Sequence, residues 1–436
     1  VSAARTARHL PVVVAAVLCA TVAGSGAAVA APPGSSPQPS SAWAASSVSA
    51  VSSVRTQTLT ECDPDVPKTV DAEPPVLARL GAAEAWELAT GRDVVVAVVD
   101  SGVDVRNEHL TSAVLTGTDL VGLAGDPQGH QDHFGHGTAV AGQIAARPVT
   151  GSGVVGLAPD ATILPVRVYY GTQDAEVEAG TDPRIDRTAA GILWAVENGA
   201  RVINVSLSFT TDAPVLHDAV RTATERGALV VASAGNRTTT DAVEDSPRYP
   251  AAYDEVLGVT AVDDLDRPTA ESIHGDHVDI AAPGTNVLTT FHAAGDCMLG
   301  GTASTSFATG YVSAVAALVA ERFPEETPAQ WAYRLTATAA RQDVTARDDL
   351  VGWGVVRPVT ALTFADDGTA PGPASPVHDA PPPPVTEPPV LPVGAQENEL
   401  APAQAVSAWW LLGGVAALVA GMLASRLRPR RRPRSR

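Results

Sequence analysis

Four short segments of this sequence carry side chains suited to nucleophilic attack on a carbonyl. Asp100 stands in Val98-Val99-Asp100-Ser101-Gly102-Val103-Asp104, directly behind an apolar run. His136 stands in Asp132-His133-Phe134-Gly135-His136-Gly137-Thr138-Ala139-Val140-Ala141-Gly142. Asn236 closes Val231-Ala232-Ser233-Ala234-Gly235-Asn236, and Ser306 lies in Ser304-Thr305-Ser306-Phe307-Ala308-Thr309-Gly310-Tyr311-Val312. A hydroxyl nucleophile needs a base to take its proton, a group to orient that base, and donors for the oxygen that turns negative. Imidazole, carboxylate, amide and hydroxyl are those parts. Each residue also has a plainer reading. Asp100 alone reads as a helix cap or metal ligand, since a carboxylate ending a buried strand is costly unless it accepts hydrogen bonds. His133 and His136, three apart, suggest a metal pair, but no Glu or third His follows at zinc-site spacing, so no metal site is expected. Ser306 reads equally as a helix N-cap, with Ser304 and Thr302 as competing nucleophiles, and Asn236 as a turn residue.

The surrounding pattern says what must position these groups. Residues 76–362 alternate strand-like and helix-like stretches, the mark of α/β architecture. Asp93 to Val99, Arg201 to Val205 and Ala228 to Ala232 are short, nearly continuous apolar runs, as expected for a parallel sheet covered on both faces. Ile185, Ala189, Ile192, Leu193 and Val196 recur at helical spacing and predict a helix packed on that sheet. After Ser306, the apolar run with Val312, Val315, Ala316 and Val319 predicts a buried helix whose N-terminus would favour developing negative charge at the serine. In α/β folds such residues belong at the carboxyl ends of strands or at helix N-termini.

Taken together, in the chain order Asp, His, Asn, Ser, the four segments resemble the subtilisin-like serine protease family. Tyr249-Pro250-Ala251-Ala252-Tyr253-Asp254 and Ala281-Ala282-Pro283-Gly284 resemble further segments of that family's core. The resemblance implies a subtilisin-like three-layer α/β fold with a mostly parallel central sheet, and peptide hydrolysis by a Ser-His-Asp triad. It implies that Asp100 orients the histidine, that His136 is base then acid, and that Ser306 attacks. Asn236 and the Ser306 backbone N–H would form the oxyanion hole, and Ser206, Leu207 and Ser208 would line the substrate. This chemistry requires no cofactor; structural calcium is left open, because no dense oxygen-ligand loop stands out. Three departures are visible. Ser304 stands where the family usually has glycine, Gly310 where it usually has proline, and Phe209 follows Ser208 where it has glycine, a bulk expected to narrow the S1 entrance.

The remaining sequence addresses compartment and partners. Arg5, Arg8 and His9, an apolar run from Leu10 to about Ala23, and Ala28-Val29-Ala30 read as a secretory signal over 1–30. Residues 31–75 read as a poorly ordered N-terminal extension, 363–404 as a Pro-rich linker with Pro381-Pro382-Pro383-Pro384, 405–425 as a transmembrane helix, and 426–436 as a basic cytoplasmic tail. About 20 uncharged residues cross about 30 Å of hydrocarbon. Seven arginines within 426–436 follow that stretch and place the tail inside, leaving the catalytic part extracytoplasmic at the cell membrane. The formal net charge of -19 argues against a nucleic-acid partner. This layout resembles that of the mycosins, membrane-anchored subtilisins associated with type VII secretion. That implies a polypeptide substrate and the secretion membrane complex as partner, or else a structural role in that complex with weak or dispensable activity. Of the three cysteines, Cys19 falls in the signal; Cys62 and Cys297 are expected to form a disulfide, two buried thiols being the alternative.

Overall fold

The computed structural model describes residues 62–122, 125–239, 243–378 and 401–427. The expected signal peptide, most of the extension, the polyproline stretch and the basic tail beyond 427 lie outside those residues. Nine strands are described: β1 (Val95–Asp100), β2 (Thr118–Asp119), β3 (Thr162–Arg167), β4 (Val202–Val205), β5 (Leu229–Ser233), β6 (Val256–Val262), β7 (Ile280–Pro283), β8 (Val287–Thr290) and β9 (Asp296–Leu299). The first seven form one parallel sheet in the order β2-β3-β1-β4-β5-β6-β7, and β8 and β9 form a separate antiparallel hairpin. The helices are α1 (Pro75–Arg79), α2 (Ala82–Trp86), α3 (His136–Ala145), α4 (Asp174–Ala179), α5 (Ile185–Glu197), α6 (Pro214–Glu225), α7 (Thr305–Arg322), α8 (Pro328–Ala337), α9 (Pro358–Thr363) and α10 (Ala401–Leu427). The three expected strands and the expected helix over 185–196 appear within a residue or two of their predicted ends.

Both faces of the sheet are covered, and the strand period of two divides the side chains between them. Val96 and Val98 of β1, Val202 of β4, and Leu229 and Val231 of β5 join the core shared with α3 and α7. Ala97 and Val99, Ile203 and Val205, and Val230 and Ala232 join the core shared with α5 and α6. This phase matters for chemistry. Counting on by twos, Asp100, Asn204, Ser206 and Ser233 all face α3 and α7. Helix α7 is buried from Thr305 to Ala320 on every side, so it needs no amphipathic stripe.

The compact part is wider than 76–362. At the amino end, Lys68 pairs in parallel with Gly295, its N–H bonding Ala294 O at 2.7 Å and its carbonyl accepting from Asp296 N at 2.8 Å. Asp296 Oδ2 accepts from Val70 N at 2.8 Å and Ser152 Oγ at 2.6 Å, while its Oδ1 lies 2.9 Å from His109 Nε2. Cys62 and Cys297 are disulfide-bonded with their Cα atoms 5.7 Å apart. Residues 62–75 are therefore fastened rather than poorly ordered, through a carboxylate that the sequence did not single out. At the other end, residues 364–378 stay attached beyond the expected start of the linker. The Tyr333 and Phe364 rings meet edge-on at 5.8 Å, and Arg341 Nη2 donates to Pro371 O at 3.1 Å.

Helix α10 holds an uncharged 18-residue stretch, Val406–Leu423, long and apolar enough to cross a membrane. With the arm held by both a disulfide and the Asp296 contacts, Cys62→Ser is expected to speed amide exchange over 62–70 while leaving α7 protected. The loss is about 2–5 kcal/mol if the bond acts on global stability. Unchanged exchange over 62–70 contradicts this.

Candidate active site

Asp100 closes β1, next to β4 and then β5, where the chain turns from building one half of the sheet to the other. In open α/β sheets the crevice beyond the strand ends at such a point is where ligands bind. The Asp100 carboxylate is fully buried. Its Oδ1 accepts from Ser101 N at 2.8 Å, Ser101 Oγ at 3.2 Å, Tyr169 OH at 2.9 Å and His136 Nδ1 at 2.8 Å. These donors offset the cost of removing the charge from water.

His136 is the first residue of α3. Asp132 fixes that helix start: Oδ1 accepts from Gly135 N at 2.8 Å and Oδ2 from Thr138 N at 2.8 Å and Thr138 Oγ1 at 2.7 Å. Gly137 lets α3 approach β1 closely, since a Cβ there would press on Gly102 O and lie 3.1 Å from Asp100 Cβ. The ring of His136 lies between Phe134 and Phe307, with centroids at 6.2 and 5.8 Å. Arg167, buried at the end of β3, pairs with Asp119 at 2.9 Å and Asp126 at 3.0 Å and donates to Gln131 O at 2.8 Å, which braces the loop leading to His136. The His133 ring stacks on Tyr170 at 5.1 Å, and no group of three metal-ligating side chains gathers among the described residues.

Ser306 is the second residue of α7, so its backbone N–H has no acceptor within the helix. Its hydroxyl donates to Ser206 O at 3.3 Å; no hydrogen bond joins it to His136 among the described residues. Ser206 Oγ donates to Ser306 O at 3.1 Å, accepts from Asn204 Nδ2 at 3.0 Å, and Asn204 Oδ1 accepts from Ser313 Oγ at 2.9 Å. This buried chain ties β4 to α7. Ser304 is the N-cap residue without a side-chain cap, and Thr302 is exposed on the preceding loop. Asn236 supplies the cap instead: its Oδ1 accepts from Thr305 N at 2.8 Å and Thr305 Oγ1 at 3.1 Å. A backbone N–H only donates, so the atom facing it is the amide oxygen, and Nδ2 is left on the other side. Thr305, missed in the sequence, sets that orientation, itself bonded to Ser233 at 2.6 Å. Where the family's proline is replaced, Gly310 leaves room for Gln143, whose Nε2 donates to Phe307 O at 2.9 Å.

The segments after β4 and β5 flank Ser306. Leu207 and Phe209 pack against the α5–α6 core, and Phe209 exchanges two 2.8 Å backbone bonds with Tyr249. A Cβ at Gly235 would meet Arg248 Cγ and Ser208 Oγ, each at 3.1 Å. Arg248 is buried, and its guanidinium donates to Ser246 O at 3.1 Å and Glu244 O at 3.2 Å.

A subtilase family model matches residues 91–354, more than half of the chain and all four segments. The chain belongs to the subtilase family. Mycosin-1 of Mycobacterium tuberculosis is 36% identical over 71% of this chain and 77% of its own length. Thermitase of Thermoactinomyces vulgaris is 36% identical over 56% of this chain and 81% of its own. The crystal structure of MycP1 from the ESX-1 type VII secretion system superposes with a TM-score of 0.61 at 31% identity, covering 71% of this chain and 92% of that one. This subtilase is a mycosin-like serine protease.

In this subtilase, burial works to lower the His136 pKa, but the Asp100 charge and hydrogen bond, with Asp132 behind them, outweigh it and leave the imidazole raised above 6.5. A raised histidine contributes stability that is present below its unfolded value and lost as pH rises through the folded one. Activity runs the other way, because only the neutral ring accepts a proton. The acid limb of kcat/KM is therefore expected above pH 6.5. Asp100→Asn should lower that limb and cut kcat on the order of 10⁴-fold. A limb below the ordinary histidine value in the unmodified protein contradicts the arrangement.

Proposed function

We propose that this chain is a membrane-anchored serine endopeptidase of the mycosin type. The observation that carries the reading is the 2.8 Å bond from His136 Nδ1 to a fully buried Asp100, at the sheet edge where Ser306 opens α7. With Nδ1–H bound to the carboxylate, Nε2 is the basic nitrogen and can take the Ser306 proton as the hydroxyl attacks. That step needs the hydroxyl to leave Ser206 O by rotation about χ1. The same nitrogen then returns the proton to the leaving amine. Asn236 Nδ2 and the Ser306 N–H are the donors for the oxyanion, with the N-terminal end of α7 adding its dipole. Ser206, Leu207 and Ser208 form the wall along which substrate lies.

Helix α10 is the anchor in this reading, at about 27 Å for its uncharged stretch, with Trp409 and Trp410 toward the outer interface and the arginine run on the cytoplasmic side. The mycosin likeness supports a place at a type VII secretion complex and a secreted polypeptide as substrate. A second reading, a structural component of that complex with weak proteolysis, draws on the rest position of Ser306 Oγ at Ser206 O.

A membrane-impermeant fluorophosphonate applied to intact cells tests chemistry and topology at once. The expected result is labelling that persists in Ser304→Ala, disappears in Ser306→Ala, and moves to the medium when the chain is cut before residue 401. Label that survives Ser306→Ala refutes the nucleophile. Secretion that persists in Ser306→Ala while processing stops separates the two roles. The side chain on the acyl side of the scissile bond is expected to be small, because Ser208 and the buried Arg248 crowd Gly235, the residue before Asn236. Arg248→Gly should raise the preference for phenylalanine over alanine there about tenfold or more. Efficient cleavage after phenylalanine by the unmodified enzyme contradicts this.

A further inference from the structure

Tyr169 is a buried titratable group that the triad does not account for. It lies two residues beyond β3, is 2% exposed, and was not among the residues the sequence singled out. Its hydroxyl donates to Asp100 Oδ1 at 2.9 Å, and its oxygen stands 3.4 Å from His136 Nδ1. Phe134, in the loop that delivers His136, meets the ring edge-on at 5.8 Å. A buried phenol is costly unless its hydroxyl finds an acceptor, and the acceptor here is the carboxylate that orients the histidine.

We propose that Tyr169 is a positioning residue for the proteolytic reaction: its hydroxyl pins Asp100 Oδ1 opposite His136 and draws on the same oxygen's charge, which sets the proton affinity of the imidazole. This rests on the proposed triad and deepens it.

The distribution of donors on Asp100 carries the inference. All four contacts fall on Oδ1, while Oδ2 is buried without a partner among the described residues. Donors sharing one oxygen weaken each other, so Tyr169 OH and His136 Nδ1–H compete for it. Of the others, the Ser101 N–H is fixed by the backbone, and Ser101 Oγ is longer at 3.2 Å and also accepts from Gly137 N at 3.0 Å. Tyr169 is thus the side-chain donor that decides how much of Oδ1 remains for the imidazolium. Burial, followed by the Asp100 charge, holds the phenol well above its ordinary value, so it stays a donor wherever the enzyme works. The charged groups facing it are Asp100 at the end of β1 and Asp132 ahead of α3; His136 is the remaining titratable neighbour.

A structural role alone predicts something different. Tyr169 also belongs to the α5–α6 core, and phenylalanine would fill that space equally well. Tyr169→Phe removes only the donor. In the full-length chain in detergent, the pH profile of inactivation by a fluorophosphonate is expected to shift its acid limb upward by about half a pH unit or more, with a several-fold slower plateau. Site-specific 3-fluorotyrosine at 169, a stronger donor of nearly the same shape, is expected to move the limb downward. A parallel titration of His136 by NMR of ¹³C-histidine in the Ser306→Ala chain should show the same two shifts. That titration needs no catalysis, so absent labelling alongside shifted titration would sink the protease reading and leave the Tyr169 assignment standing. Profiles and titrations that superimpose on the unmodified protein, or that move in the opposite directions, overturn the assignment.

Discussion

A carboxylate with no exposed surface constrains everything around it. Asp100 has to be surrounded by donors, and each donor arrives on a different part of the chain: Ser101 on the next residue, Tyr169 beyond β3, His136 at the start of α3. Bringing α3 that close requires Gly137, since any side chain there would strike the backbone of Gly102. The His136 loop is in turn held by Asp132 capping α3 and by Arg167 beneath it. The catalytic geometry and the stability of this sheet edge are therefore one problem, solved by the same contacts.

The amino-terminal arm is coupled to the same helix by short steps. Cys62 and Lys68 bind the β8–β9 hairpin, whose Thr289 Oγ1 donates to Ala139 O at 2.8 Å and Thr290 Oγ1 to Thr138 O at 2.7 Å. Those carbonyls belong to the first turns of α3. His292, between the strands of the hairpin, also contacts Asp132 O at 2.8 Å. The arm thus buttresses the element that carries His136 rather than trailing as a separate extension, and a single carboxylate, Asp296, gathers the arm, Ser152 and His109 at one point.

Much of this was legible in the sequence because the signals were local. The apolar run ending in Asp100, the glycines around His136 and the apolar helix behind Ser306 each report their own element, and the resemblance of the four segments, in that order, to the subtilisin-like family implies the fold. The substrate wall was harder to read. Phe209 is the residue expected to narrow the S1 entrance; its ring packs against the α5–α6 core, and the buried Arg248, about 40 positions on, lies with Ser208 beside Gly235. The spacing of His133 and His136 records distance along the chain only and says nothing of where the His133 ring goes; it lies on Tyr170. Tyr169, Thr305 and Asp296 carried no signal, since a lone tyrosine, threonine or aspartate has too many ordinary uses.

By itself the sequence determined the types of the reacting groups, the strands and helices that bear them, the two cysteines left to pair, and an uncharged stretch long enough for a membrane. These follow from composition and from periods of two and 3.6, which neighbouring residues settle among themselves. Tertiary structure alone decided which face of each strand meets α7, which oxygen of Asp100 is shared, which way the Asn236 amide points, and where Ser306 rests. Those are set by contacts between residues far apart in the chain, where a shift of one position along a strand sends every side chain to the opposite side of the sheet.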